Sequence, residues 1–453
     1  MSKRNHLMRM FFPQGKLILV AALLLAGCAP AATPTSAPAN TNAPEPTQAA
    51  GPTQPPAPVK LSISNHLVNE TWHAGLETYL AEYNQLHPNV TVEQISTAFA
   101  DLQARVATDQ LGDNPPDLYQ LPAWWVGNLA QSGILSEVPA DIVADVQKNY
   151  PQGVIDAVTW DGKIHGVPMD ANTTVMLYNK AMLAEAGYSR PPETLAELKE
   201  YALKLTKKDA EGNTIQYGYS EWVGNLNSEY LPFASLLYSN GGDIFAEDMS
   251  KSAFNSPEGV EVLTLMTDLV QAGAFNPELT YTDWYTDRVA ITVLPNWVRF
   301  YLTTYNDPAA FGSAPVPHGN GKESGAIVYS WFIFVNEKSP NKEAAWDFIR
   351  WFTQETLGEG KPTRCAQFYY DIASVMPARF GDLEAMKDVF STDVFPAFVE
   401  AQSYARAPLA FPQYEEAVNI INVELENAWF LKKTPEEALN DAAEQVDALL
   451  QMP

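Results

Sequence analysis

Trp160-Asp-Gly-Lys-Ile-His-Gly-Val-Pro-Met-Asp-Ala-Asn-Thr-Thr-Val-Met-Leu-Tyr-Asn-Lys180 is the stretch on which the reading of this chain turns. Gly166-Val-Pro and Val175-Met-Leu-Tyr read as two short extended segments separated by polar residues. Upstream, Leu61-Ser-Ile-Ser alternates like a strand, and Leu76, Leu80 and Tyr83 recur at helical spacing between Trp72 and His87. Val90-Thr-Val-Glu then returns to strand, a β-α-β opening. Pro116-Asp-Leu-Tyr-Gln-Leu reads as a further strand and Trp125 to Ser132 as a helix. Downstream, Pro191 and Pro192 precede a helix over Leu195 to Leu205, with Thr194 as its cap. The last third is mostly helical, over Lys342 to Thr353, Gln413 to Trp429 and Pro435 to Leu450. Strands alternating with helices predict an α/β fold with largely parallel sheets. About 390 residues after the first 59 exceed one compact core and point to two lobes.

The N-terminal end predicts where the chain works. Lys3, Arg4, Arg9 and Lys16 precede the apolar run Leu17 to Leu25, with no acidic residue before it. Such a stretch is a secretory leader, too short to span a membrane. Leu25-Ala26-Gly27-Cys28 looks like a lipobox, which makes 1–27 a signal peptide and Cys28 the lipid-bearing first residue. From there to Val59 the chain is almost all Pro, Thr, Ala, Ser, Asn and Gln, so 28–59 reads as a flexible tether.

Composition excludes several partners. The formal charge is −26, and removal of the leader with its four positive charges would leave −30. Nucleic acid and anionic lipid would repel such a chain, so contact with the membrane is expected through the lipid alone. The second of two cysteines, Cys365, has no intrachain partner and reads as a buried bystander. His66, His73, His87, His165 and His318 are never three or four apart, and Asp243, Glu247 and Asp248 do not fit a calcium loop, so no metal or other cofactor is expected. There is no H-E-x-x-H, no G-x-S-x-G, and Gly321-Lys322-Glu323 is not a phosphate loop.

The quoted stretch resembles the signature of extracellular solute-binding proteins of the sugar-binding class. Further landmarks follow in that family's order: Ala184-Glu-Ala-Gly187, Pro191-Pro-Glu-Thr-Leu195, Tyr217-Gly-Tyr, Asn240-Gly-Gly-Asp243, Asn255-Ser-Pro-Glu-Gly-Val-Glu, Ser339-Pro-Asn-Lys-Glu-Ala-Ala-Trp-Asp-Phe-Ile, Met376-Pro-Ala-Arg379 and Pro435-Glu-Glu-Ala-Leu. Leu195 stands where tryptophan is common, and Asn296-Trp297 where Gly-Pro-Trp is typical. The resemblance implies a two-lobed periplasmic-binding-protein fold, type II-like, closing on ligand at a hinge of crossing strands. It divides the chain into a first lobe over 60–170 and 321–370 and a second over 171–320 and 371–453. It also implies a monomeric, extracytoplasmic carbohydrate-binding component of an ABC importer, anchored by lipid and delivering to permease subunits. A binding protein for a polyol or sugar phosphate is the alternative, and a secreted carbohydrate-active enzyme a more distant one.

Sugars present apolar ring faces and hydroxyl edges, so their sites need aromatic plates with carboxylates or amides. The resemblance places such groups at Trp124 and Trp125, of which one would face the ligand, at Asp170 and Asn172 on the first crossing, and at Trp297. It adds Tyr329 and Trp331 on the next crossing, Glu229 with Tyr230, and Asn69 with Glu70 after the first strand. Trp72, Trp346, Trp351 and Trp429 sit at helical spacing and read as core.

Overall fold

The computed structural model describes residues 57–221, 227–408 and 411–451. The signal peptide, Cys28 and all but the end of the expected tether lie outside the described residues. Val59 already belongs to the first strand, Val59–Asn65, which pairs in parallel with Val90–Ser96.

Two sheets organise the chain into two lobes. The first runs in the order Val90–Ser96, Val59–Asn65, Leu118–Pro122, Trp331–Val335, Val167–Pro168. The second runs Phe311–Ala314, Asn172–Asn179, Val289–Pro295, Thr214–Tyr219, Lys207–Lys208, with Val328–Tyr329 also paired to Asn172–Asn179. Neither sheet is largely parallel. Trp331–Val335 runs antiparallel to both its neighbours, and Asn172–Asn179 antiparallel to Val289–Pro295 and Phe311–Ala314. Strands that pass from one lobe to the other enter the next sheet without a crossover helix to restore their direction, so these pairings are antiparallel.

The decisive stretch builds this arrangement locally. Thr159–Trp160 pairs with Lys163–Ile164 across Asp161-Gly162, both at positive φ (49° and 69°). A two-residue hairpin turn of this twist requires both, which Asp and Gly tolerate best. Gly166 follows where strands crowd: a Cβ there would sit 2.7 Å from the Ile333 carbonyl oxygen. Met169 N–H then donates to Trp331 O (2.8 Å) and Ala171 N–H to Met376 O (3.0 Å). Three crossing segments are thereby stitched into one hinge. The second crossing falls at Ser330, because Val328–Tyr329 still pairs with Asn172 and Thr173. Residues 321–329 thus stay with the second sheet, later than the boundary expected from sequence. The third crossing follows the helix Arg364–Ala373, which packs on Glu70–Leu86 of the first lobe.

Helices complete each lobe. Lys342–Thr353 covers the first sheet, with Ala345, Phe348, Ile349 and Phe352 buried. In the second lobe Tyr414–Trp429 and Pro435–Leu450 pair and pack on Pro257–Gln271. Thr194 caps Leu195–Leu205 as expected, accepting from Glu197 N–H at 3.2 Å. Cys365 is 3% exposed, its thiol 3.3 Å from Met169 O. No helix among the described residues is long and apolar enough to cross a membrane.

Candidate ligand-binding site

The ends of the first-lobe strands and the hinge enclose a cavity of about 350 Å³. The first lobe lines it with His66 and Leu67, just past the strand Val59–Asn65, with Trp72 and Phe99 near helix starts, and with Tyr369 and Ile372. The second lobe contributes Trp297, Phe300 and Tyr301, which follow the strand Val289–Pro295. Asp170, Asn172, Tyr329 and Trp331 come from the crossings. Strand ends of an α/β sheet leave loop backbone and side chains free to converge on a crevice, which is why a site forms here.

Rings dominate the walls. His66 stacks on Trp331, with centroids 3.7 Å apart and planes within 14°. Phe99 meets Trp331 edge-on at 5.9 Å, and Trp297 meets Tyr301 edge-on at 5.7 Å. Trp72 and Phe300 touch across the lobes, edge to face at 6.2 Å. Trp297 Nε1–H donates to Tyr329 Oη at 2.9 Å.

The polar floor is Asp170. Its Oδ1 accepts from Trp331 N–H at 2.7 Å and its Oδ2 from Asn172 Nδ2–H at 2.8 Å. Burial pushes its carboxyl up to about 7, although those two donors and Ser330 favour the charged form. The group therefore changes protonation near neutral pH, unlike an exposed carboxylate. Burial drives His66 the other way, down to about 4, so its ring is neutral at pH 7. Its Nδ1 lies 2.9 Å from Gln120 Oε1, an acceptor, so the ring proton sits there. Gln120 Nε2–H in turn donates to Tyr369 Oη at 3.0 Å.

Of the residues singled out in the sequence, Asp170, Asn172, Trp297, Tyr329 and Trp331 meet at this cavity. Trp124 and Trp125 do not line it. They form a layer behind it, Trp124 edge-on to Tyr329 at 5.5 Å and Trp125 stacked near Phe99 at 6.4 Å. Glu229 and Tyr230 are 2% and 1% exposed inside the second lobe: Glu229 accepts from Ser228 Oγ–H at 2.5 Å, and Tyr230 meets Tyr414 edge-on. Asn69 and Glu70 lie outside the lining. Asn69 caps the helix Glu70–Leu86 through Thr71 N–H at 2.9 Å.

Sequence reasoning missed His66, Phe99, Phe300, Tyr301 and Tyr369, and assigned Trp72 to core alone. Phe300 and Tyr301 were within reach of a helical-spacing argument, three and four residues beyond Trp297. Nothing in the local pattern marks His66 or Tyr369, which the tertiary fold brings in. Among the described residues no three His, Cys, Asp or Glu side chains group as metal ligands.

Comparison with known proteins accords with this geometry. Residues 69–357 match the model of the bacterial extracellular solute-binding protein family. The galactooligosaccharide-binding protein of Bacillus subtilis is 22% identical over 82% of this chain and 85% of its own length. The cyclic α-maltosyl-1,6-maltose binding protein of Arthrobacter globiformis superposes with a TM-score of 0.72 at 24% identity, over 87% of this chain and all of that one. An ABC transporter solute-binding protein of Thermotoga lettingae bound with α-D-tagatose gives 0.69 at 25% identity and the same coverage. With two lobes, crossing hinge strands and a cleft between them, this chain belongs to the bacterial extracellular solute-binding protein family.

Proposed function

We propose that the chain captures a neutral carbohydrate in the hinge cavity and presents it to the permease of an ABC importer. The observation that carries this reading is the pairing of ring plates with one buried carboxyl–amide couple, Asp170 and Asn172, on a hinge. Stacked and edge-on rings match apolar sugar faces, and a directed carboxyl and amide match hydroxyl edges. Similar proteins are described as binding galactooligosaccharide, cyclic maltosyl-maltose and tagatose, which supports the same ligand class. Binding across a hinge couples capture to lobe closure, the difference a permease can sense.

A charged solute fits less well. No Lys or Arg lines the cavity among the described residues, and Arg379 is engaged in a bidentate pair with Asp145. A phosphate or carboxylate ligand would need such a cation. Hydrolysis fits less well too, since paired-acid chemistry needs two carboxyl groups about 5–10 Å apart, and Asp170 is the only carboxyl group lining the cavity among the described residues. In this reading Cys28 carries the lipid, 1–27 is removed, and the tether holds the lobes off the outer face of the cell membrane.

Thermal unfolding of the chain with neutral sugars, polyols and sugar phosphates tests the reading. A cognate neutral sugar at 100 times its Kd is expected to add about 2.7 kcal/mol of stability without being consumed. Stabilisation by phosphorylated or charged solutes alone would overturn the ligand class, and turnover would overturn the binding role. For the anchor, Cys28→Ala is expected to abolish incorporation of labelled fatty acid and release the protein from the membrane. Retention of both would rule the lipid site out.

A further inference from the structure

The cavity ends at a wall, and one carboxylate holds the wall shut. Glu415, in the first turn of the second-lobe helix Tyr414–Trp429, reaches across to two first-lobe donors. Its Oε1 accepts from Trp125 Nε1–H at 2.5 Å and its Oε2 from Gln103 Nε2–H at 2.8 Å. Gln103 lies on the helix that begins at Phe99, itself part of the cavity wall. Glu415 thus fixes both the ring of Trp125 and the helix carrying Phe99 against the second lobe.

Behind the wall lies a second hollow, of about 360 Å³, lined by Trp124, Trp125, Asn128, Tyr414 and Glu415 among others. The partition is two ring pairs, Trp124 against Tyr329 and Trp125 against Phe99. The hollow has the residue types of a sugar subsite: the rings of Trp124 and Tyr414, 7% and 1% exposed, lie tilted 6.4 Å apart, with an amide at Asn128. Trp124 is 7% exposed, and its indole N–H has no hydrogen-bond partner among the described residues. At the opposite end of the first cavity, Trp72 and Phe300 meet across the lobes.

We infer that the Glu415 tie to Trp125 and Gln103 is a length gate on the sugar site. It rests on the carbohydrate reading above and goes beyond it. With the tie made, the site is a single 350 Å³ chamber bounded by the ring pair Trp125–Phe99 on one side and Trp72–Phe300 on another, at the small end of the roughly 300–1,000 Å³ common for ligand pockets. Such a chamber takes one or two sugar rings. With the tie broken, Trp125 and the helix bearing Phe99 lose their cross-lobe anchor, and the chamber opens onto the ring pair Trp124–Tyr414.

The test is a calorimetric titration of the full chain, and of Glu415→Ala, with two neutral series: glucose to maltotetraose and mannose to mannotetraose. The wild-type chain is expected to bind the one- or two-ring members of its preferred series about tenfold more tightly than the four-ring member. Glu415→Ala is expected to erase or invert that preference. Trp125→Phe, which keeps the ring and removes the donor, is expected to shift it part of the way. General destabilisation would weaken every length alike, so the ratio between lengths reports the gate. Affinity that rises with length through four rings in the wild-type chain, or a preference unchanged in Glu415→Ala, would overturn the gate and leave the carbohydrate reading standing. No binding at any length by either protein would overturn the carbohydrate reading for these sugars, and the gate with it.

Discussion

Two neighbouring groups of aromatic residues look alike in the sequence and behave differently in the fold. One comprises Trp297, Trp331 and Tyr329, whose rings line a cavity beside Asp170. The other comprises Trp124, Tyr230 and Tyr414, whose rings pack on one another and on the back of the first group, together with Trp125, stacked near Phe99. The first sits where strands end or cross at the hinge. The second sits at a 3-10 turn and at helix starts, where a ring is absorbed by the next packing layer. Residue type alone therefore does not separate a ligand plate from a strut between lobes. What separates them is whether a buried polar pair, here Asp170 and Asn172, shares the space.

The comparison breaks most visibly on Trp331. Trp331→Ala removes a ring that stacks on His66 and faces the cavity, a loss of about 1.5–3 kcal/mol of apolar burial. Affinity for the cognate sugar, measured by calorimetry, is expected to fall about 10–100-fold.

Asp170 comes next. Hydroxyl donors from a sugar require the carboxylate, and the group titrates at about 7. Wild-type affinity is therefore expected to rise about tenfold between pH 6 and pH 8, as one proton leaves. Asp170→Asn should bind about tenfold more weakly at pH 8 and show no such slope. Stability moves the opposite way. The folded chain holds this proton more tightly than the unfolded chain, so the group's contribution is full below about pH 4 and declines as pH rises to about 7. The difference in melting temperature between wild type and Asp170→Asn should follow that decline. His66, at about 4, leaves the pH 6–8 window to Asp170. A slope retained in the variant would assign the titration elsewhere.

Trp297→Phe keeps a ring and deletes the donor to Tyr329 Oη. One neutral hydrogen bond is worth about 0.5–1.5 kcal/mol, so a loss of about 3–10-fold is expected. The smallest effect on affinity should come from Tyr230, in the second group. Tyr230→Ala empties a site that is 1% exposed, at a stability cost of about 3–5 kcal/mol by denaturant unfolding. The folded fraction should still bind within about twofold of wild type. A larger drop would move Tyr230 into the ligand group.

Much of the fold was legible because local rules and tertiary structure agreed. Thr194 preceding Leu195–Leu205 is a cap in pattern and in fact. Strand direction was not legible: hinge pairing reverses it, and no residue between Met169 and Ala171 signals that. That the crossing residues Asp170, Asn172, Tyr329 and Trp331 meet at one cavity was readable because one stretch of chain carries each pair. That Trp125 packs behind the cavity was not legible, because its partner, Glu415, lies 290 residues away. His66 was missed because it gains its meaning from Trp331, which is distant in sequence but stacks on it in the fold.

The most direct test is a crystal structure of the chain with the neutral sugar that stabilises it most. The account predicts a sugar ring in the hinge cavity, in van der Waals contact with Trp297 and Trp331, with a hydroxyl donating to Asp170. A sugar seated wholly on the Trp124–Tyr414 side, or outside the cleft, would contradict it.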